Sequence, residues 1–291
     1  MKRGPHGEDP ARPEAYRGCH ICLLTQHGKE EVIGPLFLEA LGAQVQLVGG
    51  YDTDLLGTFT RERPRYGTQL EAARKKARIG MERSGLPLGL ASEGAFGPGP
   101  YGLAPWNIEL VVLIDDLRKI ELVGHAQGPA QHGHERVSTW EELEAFARRA
   151  GFPEHGLVLR PNDDSDPRIQ KGLRDWGALR EAFVGARRHA SAGEVFVENE
   201  LRAHMNPTRM KNIAAATQDL IQRMQSLCPG CAAPGFWVVE RIPGLPCADC
   251  GTPTREPRAE RWSCVACEHQ EIREVPASRL ADPGRCDECN P

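Results

Sequence analysis

Four Cys-x-x-Cys pairs occupy the last part of the chain: Cys228/Cys231, Cys247/Cys250, Cys264/Cys267 and Cys286/Cys289. Each such turn aims two sulfurs at one metal, and two turns complete a tetrahedron, so the pairs suffice for two structural Zn2+ ions. Sites closed by four thiolates leave no position for water or substrate and hold structure rather than perform chemistry. Thirteen residues separate Cys250 from Cys264, enough for a β-hairpin between two knuckles, so the second and third pairs read as one compact zinc ribbon. The outer pairs then share the other metal, a nested arrangement. Sequential pairing, first with second and third with fourth, is the alternative the spacing leaves open. Disulfides would need an exported protein and would waste the regular spacing.

Other chemistry-bearing residues are spread through the chain. Thr25, His27, Gly28 and Lys29 follow the first predicted strand, where backbone donors at a helix start and a lysine suit a phosphate. The spacing is not that of a Walker A loop. Asp52, Asp54 and Thr58 come next, then Arg61, Arg63 and Arg65, which in an extended stretch would share one side and suit a polyphosphate. Ser92-Glu93-Gly94 sets a carboxylate after a buried strand. Glu93 with Asp115, Asp116 or Glu109 could hold Mg2+ through oxygen ligands and water. Glu198, Glu200, Arg202, His204, Asn206 and Arg209 crowd the approach to a long helix, a density suited to anion binding or acid–base work. Each group also has a plain reading, as a polar turn, a solvated face or a salt-bridged helix cap. His132 and His134 read as surface histidines, and Cys19 and Cys22 as buried thiols.

The elements that must position these residues form an α/β domain, a mixed sheet covered by helices, over residues 17–227. A flexible arm, 1–16, precedes it and a double zinc-binding module, 228–291, follows. A strand over Gly18–Thr25, a helix over Glu30–Leu41 with Pro35 in its first turn, and a strand over Ala43–Val48 make a βαβ start. Thr68 caps a second helix with Glu71 as capping-box partner, and Thr139 with Glu142 does the same for a helix over Trp140–Ala150. Small residues Ala72, Ala73 and Ala77 let the second helix approach a sheet. Strands are predicted over Leu86–Ala91, Ile108–Asp115, Glu121–His125, Gly156–Asn162 and Glu194–Val197. Gly172–Ala190 is predicted to be mostly helical, and Pro207 opens the last helix, which runs to about Leu227.

The chain has 291 residues, 40% hydrophobic and 26% charged, with a formal net charge of -4, which describes an ordinary soluble protein. The sequence has no apolar run long enough for a membrane span and no secretory signal, so a cytoplasmic location is expected. The cysteine module holds seven arginines, no lysine and ten acidic residues. Its charge therefore disfavours nucleic acid, whose footprint is basic.

Several elements together resemble a bacterial domain-of-unknown-function family with a cysteine-rich C-terminus. They are Thr25-x-His-Gly-Lys29, Asp52-Thr-Asp54 with Gly57-Thr-Phe59, Ala91-Ser-Glu-Gly94, Arg202-Ala-His-x-Asn-Pro-Thr-Arg209 and Cys286-x-x-Cys-Asn-Pro291. That resemblance implies no activity. The N-terminal half more faintly resembles the inosine/xanthosine triphosphate pyrophosphatase superfamily, through Thr25-Gln-His-Gly-Lys29, Lys76-Ala77 and Glu93 in that order. The likeness implies phosphate contacts from Lys29 and Lys76 and a magnesium ligand in Glu93. The superfamily's asparagine is replaced by His27 or Gly28, and its lysine spacing is one residue longer.

The expected function is magnesium-dependent hydrolysis of a nucleotide or related phosphorylated small molecule. Lys29, Glu93, Arg202 and His204 are the catalytic candidates, and Lys76, Asp115, Arg61, Arg65 and Arg209 the ligand-binding ones. The competing expectation is a non-catalytic zinc-ribbon adaptor that contacts another protein. Self-association is open under either.

Overall fold

The computed structural model describes residues 14–99, 102 and 104–291. The arm expected over residues 1–16 lies outside them up to residue 13. Its last residues form a 3-10 turn, Glu14–Tyr16. Tyr16 is fully buried and its hydroxyl donates to Asp115 at 3.1 Å. Contacts divide the chain into two compact units. One comprises Tyr16–Leu117 and Glu121–Ile221, and the other includes Gln222–Pro291.

The larger unit holds two sheets. In the first, β1 (His20–Leu24) lies parallel to β2 (Gln44–Val48) and to β3 (Leu88–Pro98), and β4 (Pro105–Asp115) runs antiparallel to β3. With β5 (Ile120–Pro129) the order is β2-β1-β3-β4-β5. Helix α1 (Glu30–Leu41) makes the first crossover, burying Ile33, Phe37 and Leu41. Pro35 falls in its second turn rather than its first. Pro35 and Glu31 are both exposed, so the carbonyl that loses its donor can turn to solvent. Helix α2 (Gln69–Ser84) has the full Thr68/Glu71 capping box. Its Ala73 and Ala77 pack with Cys22, Ala91, Val112 and Ile114, a core in which Cys22 is a buried thiol; Cys19 is only half-buried.

The second sheet is antiparallel, in the order β6 (His134–Val137), β9 (Val195–Asn199), β7 (Leu157–Pro161) and β8 (Gln170–Leu173). Helices α3 (Trp140–Arg149) and α4 (Trp176–Arg187) cover it, enclosing Leu143, Phe146, Leu157, Leu159, Leu179, Phe183, Val195 and Val197. The Thr139/Glu142 capping box is complete. Helix α5 (Pro207–Gln225) buries Ile213, Ala216, Thr217 and Leu220. It approaches β5 so closely that a Cβ on Gly124 would stand 2.3 Å from the Ala216 carbonyl.

Two expectations change here. Ser92-Glu93-Gly94 is not a loop after a strand but the middle of β3, because β4 supplies a continuous partner and the ladder runs unbroken from Leu88–Asp115 to Pro98–Pro105. Part of the stretch expected to be helical from Gly172 belongs to β8, and α4 begins only at Trp176, where the Asp175 side chain accepts from the Ala178 amide.

The smaller unit is built on a three-stranded antiparallel sheet, β10 (Trp237–Pro243), β11 (Pro257–Ser263) and β12 (Gln270–Glu274). Phe236 is buried beside Cys228, Cys264 and Trp262, and the Arg273 guanidinium lies 4.2 Å from the Trp262 ring centre.

Candidate functional site

In the smaller unit the eight cysteines gather as two groups of four, Cys228/Cys231/Cys264/Cys267 and Cys247/Cys250/Cys286/Cys289. The pairing is interleaved, first with third and second with fourth; it is neither the nested arrangement nor the sequential one. Antiparallel geometry explains this. The start of β10 lies against the end of β11, with Trp237 opposite Ser263, so the pairs flanking those ends meet. Cys247 and Cys250 follow the other end of β10, about 20 Å away along a seven-residue strand. Strand β12 carries the chain back to that end, where Ala248 donates to the Ala281 carbonyl and the fourth pair arrives.

Both groups fit a tetrahedral ion. Four sulfurs 2.3 Å from zinc stand about 3.8 Å apart, and the closest sulfur pairs lie 3.8 and 3.7 Å apart in the first group and 3.8 and 3.6 Å apart in the second. Amide hydrogens of Gly230 and Ala266 point at the Cys228 and Cys264 sulfurs, as suits thiolates. The two clusters are capable of holding metal, consistent with a zinc-ribbon-like module and structural Zn2+.

In the larger unit, residues distant in sequence converge on a narrow pocket. Lys29 at the head of α1, Lys76 from α2, Glu93 from β3, Lys171 from β8, Glu200 and Arg202 after β9, and Arg209 from α5 line it with His27 and Asp54. Four of the five lysine and arginine side chains already have carboxylate partners, Lys76 with Glu93, Lys171 with Glu62, Arg202 with Glu200 and Arg209 with Glu109, so an anion would enter by sharing or displacing these pairs. The cavity volume is about 30 Å³, room for about two or three water-sized centres. Only a small group fits inside, and anything larger must extend through the mouth.

The charges are held in a definite order. Lys76 pairs with Glu93 at 2.5 Å, and Arg65 approaches the same carboxylate at 3.6 Å while donating to the Gly94 carbonyl at 2.6 Å. Burial pushes Glu93 up, but Lys76, Lys29 and Arg209 outweigh it and hold the carboxyl below its usual range. Arg209 donates to Glu109 at 2.7 Å and to the Leu201 carbonyl at 2.6 Å, with its guanidinium 4.5 Å from the Phe59 ring centre. Arg209 and Glu109 are 2% and 0% exposed. Gly94 makes room for them, since a Cβ there would meet the Glu109 carboxylate at 2.3 Å and the Arg209 guanidinium at 2.6 Å. Lys29 donates to the Ser92 carbonyl at 2.7 Å. Burial, with Arg209 and Lys76 nearby, lowers its pKa to about 7 against the opposing pull of Glu109 and Glu93.

His27 hydrogen-bonds Asp54 through Nε2 at 3.1 Å, and this bond holds the Asp54 carboxyl below its ordinary value despite burial. His204 stacks on His27 with ring centres 5.4 Å apart. It is not among the pocket-lining side chains: of the two histidines, His27 faces the cavity. Burial, His27 and Arg202 lower the His204 pKa.

Three ligand-binding candidates, Asp115, Arg61 and Arg65, do not line the pocket. Asp115 pairs with Leu88 at the far end of β3, while Glu93 opposes Leu110; five residues of strand put them about 17 Å apart. Asp116 is held by Arg78. The arginine run does not share one side, because residues 59–67 turn rather than extend. Arg61 leaves toward Glu198 at 2.7 Å and Asp164 at 3.2 Å, while Arg65 reaches Glu93. Lys171 and Thr60 line the pocket but carry no sequence signal, since a lone lysine or threonine is ordinary.

A mixed α/β domain with a pocket lined by ion-paired side chains, accompanied by a cysteine module capable of coordinating metal, is the class these features define. A family described as a domain of unknown function (DUF6671) matches residues 76–291, and the chain belongs to that family. The matched span contains Lys76, Glu93, Lys171, Arg202, Arg209 and all eight paired cysteines, while His27, Lys29 and Asp54 precede it. No curated protein matches the chain. The fainter pyrophosphatase likeness gains no support from these comparisons.

Proposed function

We propose that the larger unit binds the phosphate end of a small molecule, a nucleotide or a related ester, and hydrolyses it with magnesium. The carrying observation is the convergence of Lys76, Lys171, Arg202 and Arg209, with Lys29 beside them, on one small cavity. Preorganised cations in a water-poor site stabilise the charge that develops on phosphate oxygens. His27, oriented by Asp54, is the pocket's acid–base group. Among the described residues only the two cysteine groups gather three or more metal-ligand atoms. Magnesium would therefore rely on Glu93 together with substrate oxygens, the usual mode for this ion. It would supply Lewis-acid polarisation of the phosphate. Lys76, on this reading, exchanges its Glu93 partner for a substrate oxygen. The test is a panel of nucleoside triphosphates and phosphate monoesters, with the zinc-loaded protein and magnesium. Release of phosphate or pyrophosphate that disappears in Arg209→Lys and His27→Gln is expected, and no turnover across the panel would sink the reading.

A second reading is an adaptor whose cysteine module contacts another protein. Two closed four-cysteine groups, with Val239 and Ile272 exposed on the adjoining sheet, favour it. Charge reversal at Arg261 or exchange of Ile272 for Asp should then abolish capture of a specific partner while leaving zinc content unchanged.

A further inference from the structure

Lys29 and Lys76 sit in the same pocket with opposite arrangements. Lys76 is spent on a carboxylate, Glu93, at 2.5 Å. Lys29 is 5% exposed, and its two polar contacts are neutral, the Ser92 carbonyl at 2.7 Å and the Ser92 hydroxyl at 3.4 Å. A buried ammonium without an ion-pair partner is costly, whereas a neutral amine can donate to a carbonyl and keep its lone pair free. The remaining charges that act on it come from every side of the pocket: Arg209 on α5, Lys76 on α2, Glu109 on β4 and Glu93 on β3. The two cations favour the neutral amine and the two carboxylates oppose it.

We propose that Lys29 is a nucleophilic amine that captures an aldehyde or ketone bearing a phosphate group as an imine. The inference rests on the preceding reading only for the anion-suited pocket; it does not need hydrolysis. Arg202 and Lys171, paired with Glu200 at 2.7 Å and with Glu62 at 2.5 Å, share their charge with the phosphate, and Lys29 meets the carbonyl. The Nζ lone pair bonds to the carbonyl carbon. The carbonyl oxygen then departs as water with the two protons the amine gives up, leaving C=N, and nothing is oxidised or reduced. His27, held by Asp54 and lining the same cavity, is placed to pass those protons. The pKa near 7 agrees with this role, because a desolvated lysine beside other cations is a recognised way to prepare an amine for imine chemistry.

The experiment uses the full zinc-loaded chain, pyridoxal 5′-phosphate as probe, borohydride to fix any imine, and peptide mass spectrometry to find it. At neutral pH an amine with pKa near 7 is about half neutral while an ordinary lysine is almost wholly protonated, so Lys29 should react about tenfold or more ahead of exposed Lys75 and Lys211. Its rate should rise with a midpoint near pH 7. Excess inorganic phosphate should protect it, and pyridoxal without phosphate should label it more slowly. Labelling of Lys29 no faster than of Lys75 and Lys211, or labelling indifferent to phosphate, overturns the proposal. Thermal stabilisation by inorganic phosphate is followed in parallel. Stabilisation without an adduct sinks the imine and leaves the anion pocket standing; absence of both sinks the two together. Because the measurement is made on the unaltered protein, no variant has to fold.

Discussion

The cysteine module and the pocket of the larger unit both gather chemically reactive side chains, but they do so by opposite routes. In the module each half-site is four residues of local sequence, and the sheet only decides which halves meet. In the pocket hardly any two lining cations are near neighbours in sequence; β1, α1, α2, β3, β8 and α5 must all be in place before a cavity exists. A site of the first kind stands or falls with its ion. One of the second kind stands or falls with the packing beneath it.

The largest effect expected is metal loss. Structural zinc contributes about 10–16 kcal/mol of apparent binding energy in small modules, so a strong chelator should unfold the cysteine module while the circular dichroism of the larger unit persists. Paired substitutions then sharpen the topology. Cys228→Ser with Cys264→Ser disables one interleaved group and should leave one zinc per chain by elemental analysis, whereas Cys247→Ser with Cys264→Ser touches both and should leave none. Nested pairing would give the reverse result.

On the pocket side, Arg209→Ala strands the buried Glu109 carboxylate and should cost about 3–5 kcal/mol in denaturant unfolding. Gly94→Ala drives a methyl into the same pair and should cost about 1–3 kcal/mol, with loss of phosphate binding. The next effect is one of pH. Lys29 has its folded pKa lowered from 10.5 to about 7. Between those values the unfolded chain holds a proton that the folded one has released, so this residue's contribution to stability rises with pH through that window. Below it both states are protonated and the burial cost is fully in force. Melting temperatures of Lys29→Met and the native protein should therefore converge as pH is raised from 7 toward 10; parallel curves would show that Lys29 keeps its proton. Smallest are the helix caps. Thr68→Ala and Thr139→Ala should each cost about 1 kcal/mol, and only the first, which caps the helix bearing Lys76, should also weaken phosphate binding.

Sequence reading succeeded where the physics is local. The capping boxes of α2 and α3, the Gly42 end of α1 and the cysteine pairs are each written within a few residues. It failed where a partner strand decides. The polar step Ser92-Glu93-Gly94 looked like a strand end, yet β4 pairs through it and Lys76 satisfies its charge. The arginine run looked extended, but Arg61 adopts a positive φ of 67° and the chain turns. Knuckle pairing followed the direction of β10 and β11, which cysteine spacing does not encode. Of the candidate residues, Lys29, Lys76, Glu93, Arg202 and Arg209 share the cavity, while Arg61, Arg65, Asp115 and His204 do not line it.

The interleaved clusters also bear on what a broken chain would do. A single proteolytic cut between Cys250 and Cys264 leaves two cysteine pairs on each fragment, and each ion draws one pair from either side of the break. The nicked module would stay assembled through two metal staples, migrating as one species under native conditions and separating only when the ions are withdrawn.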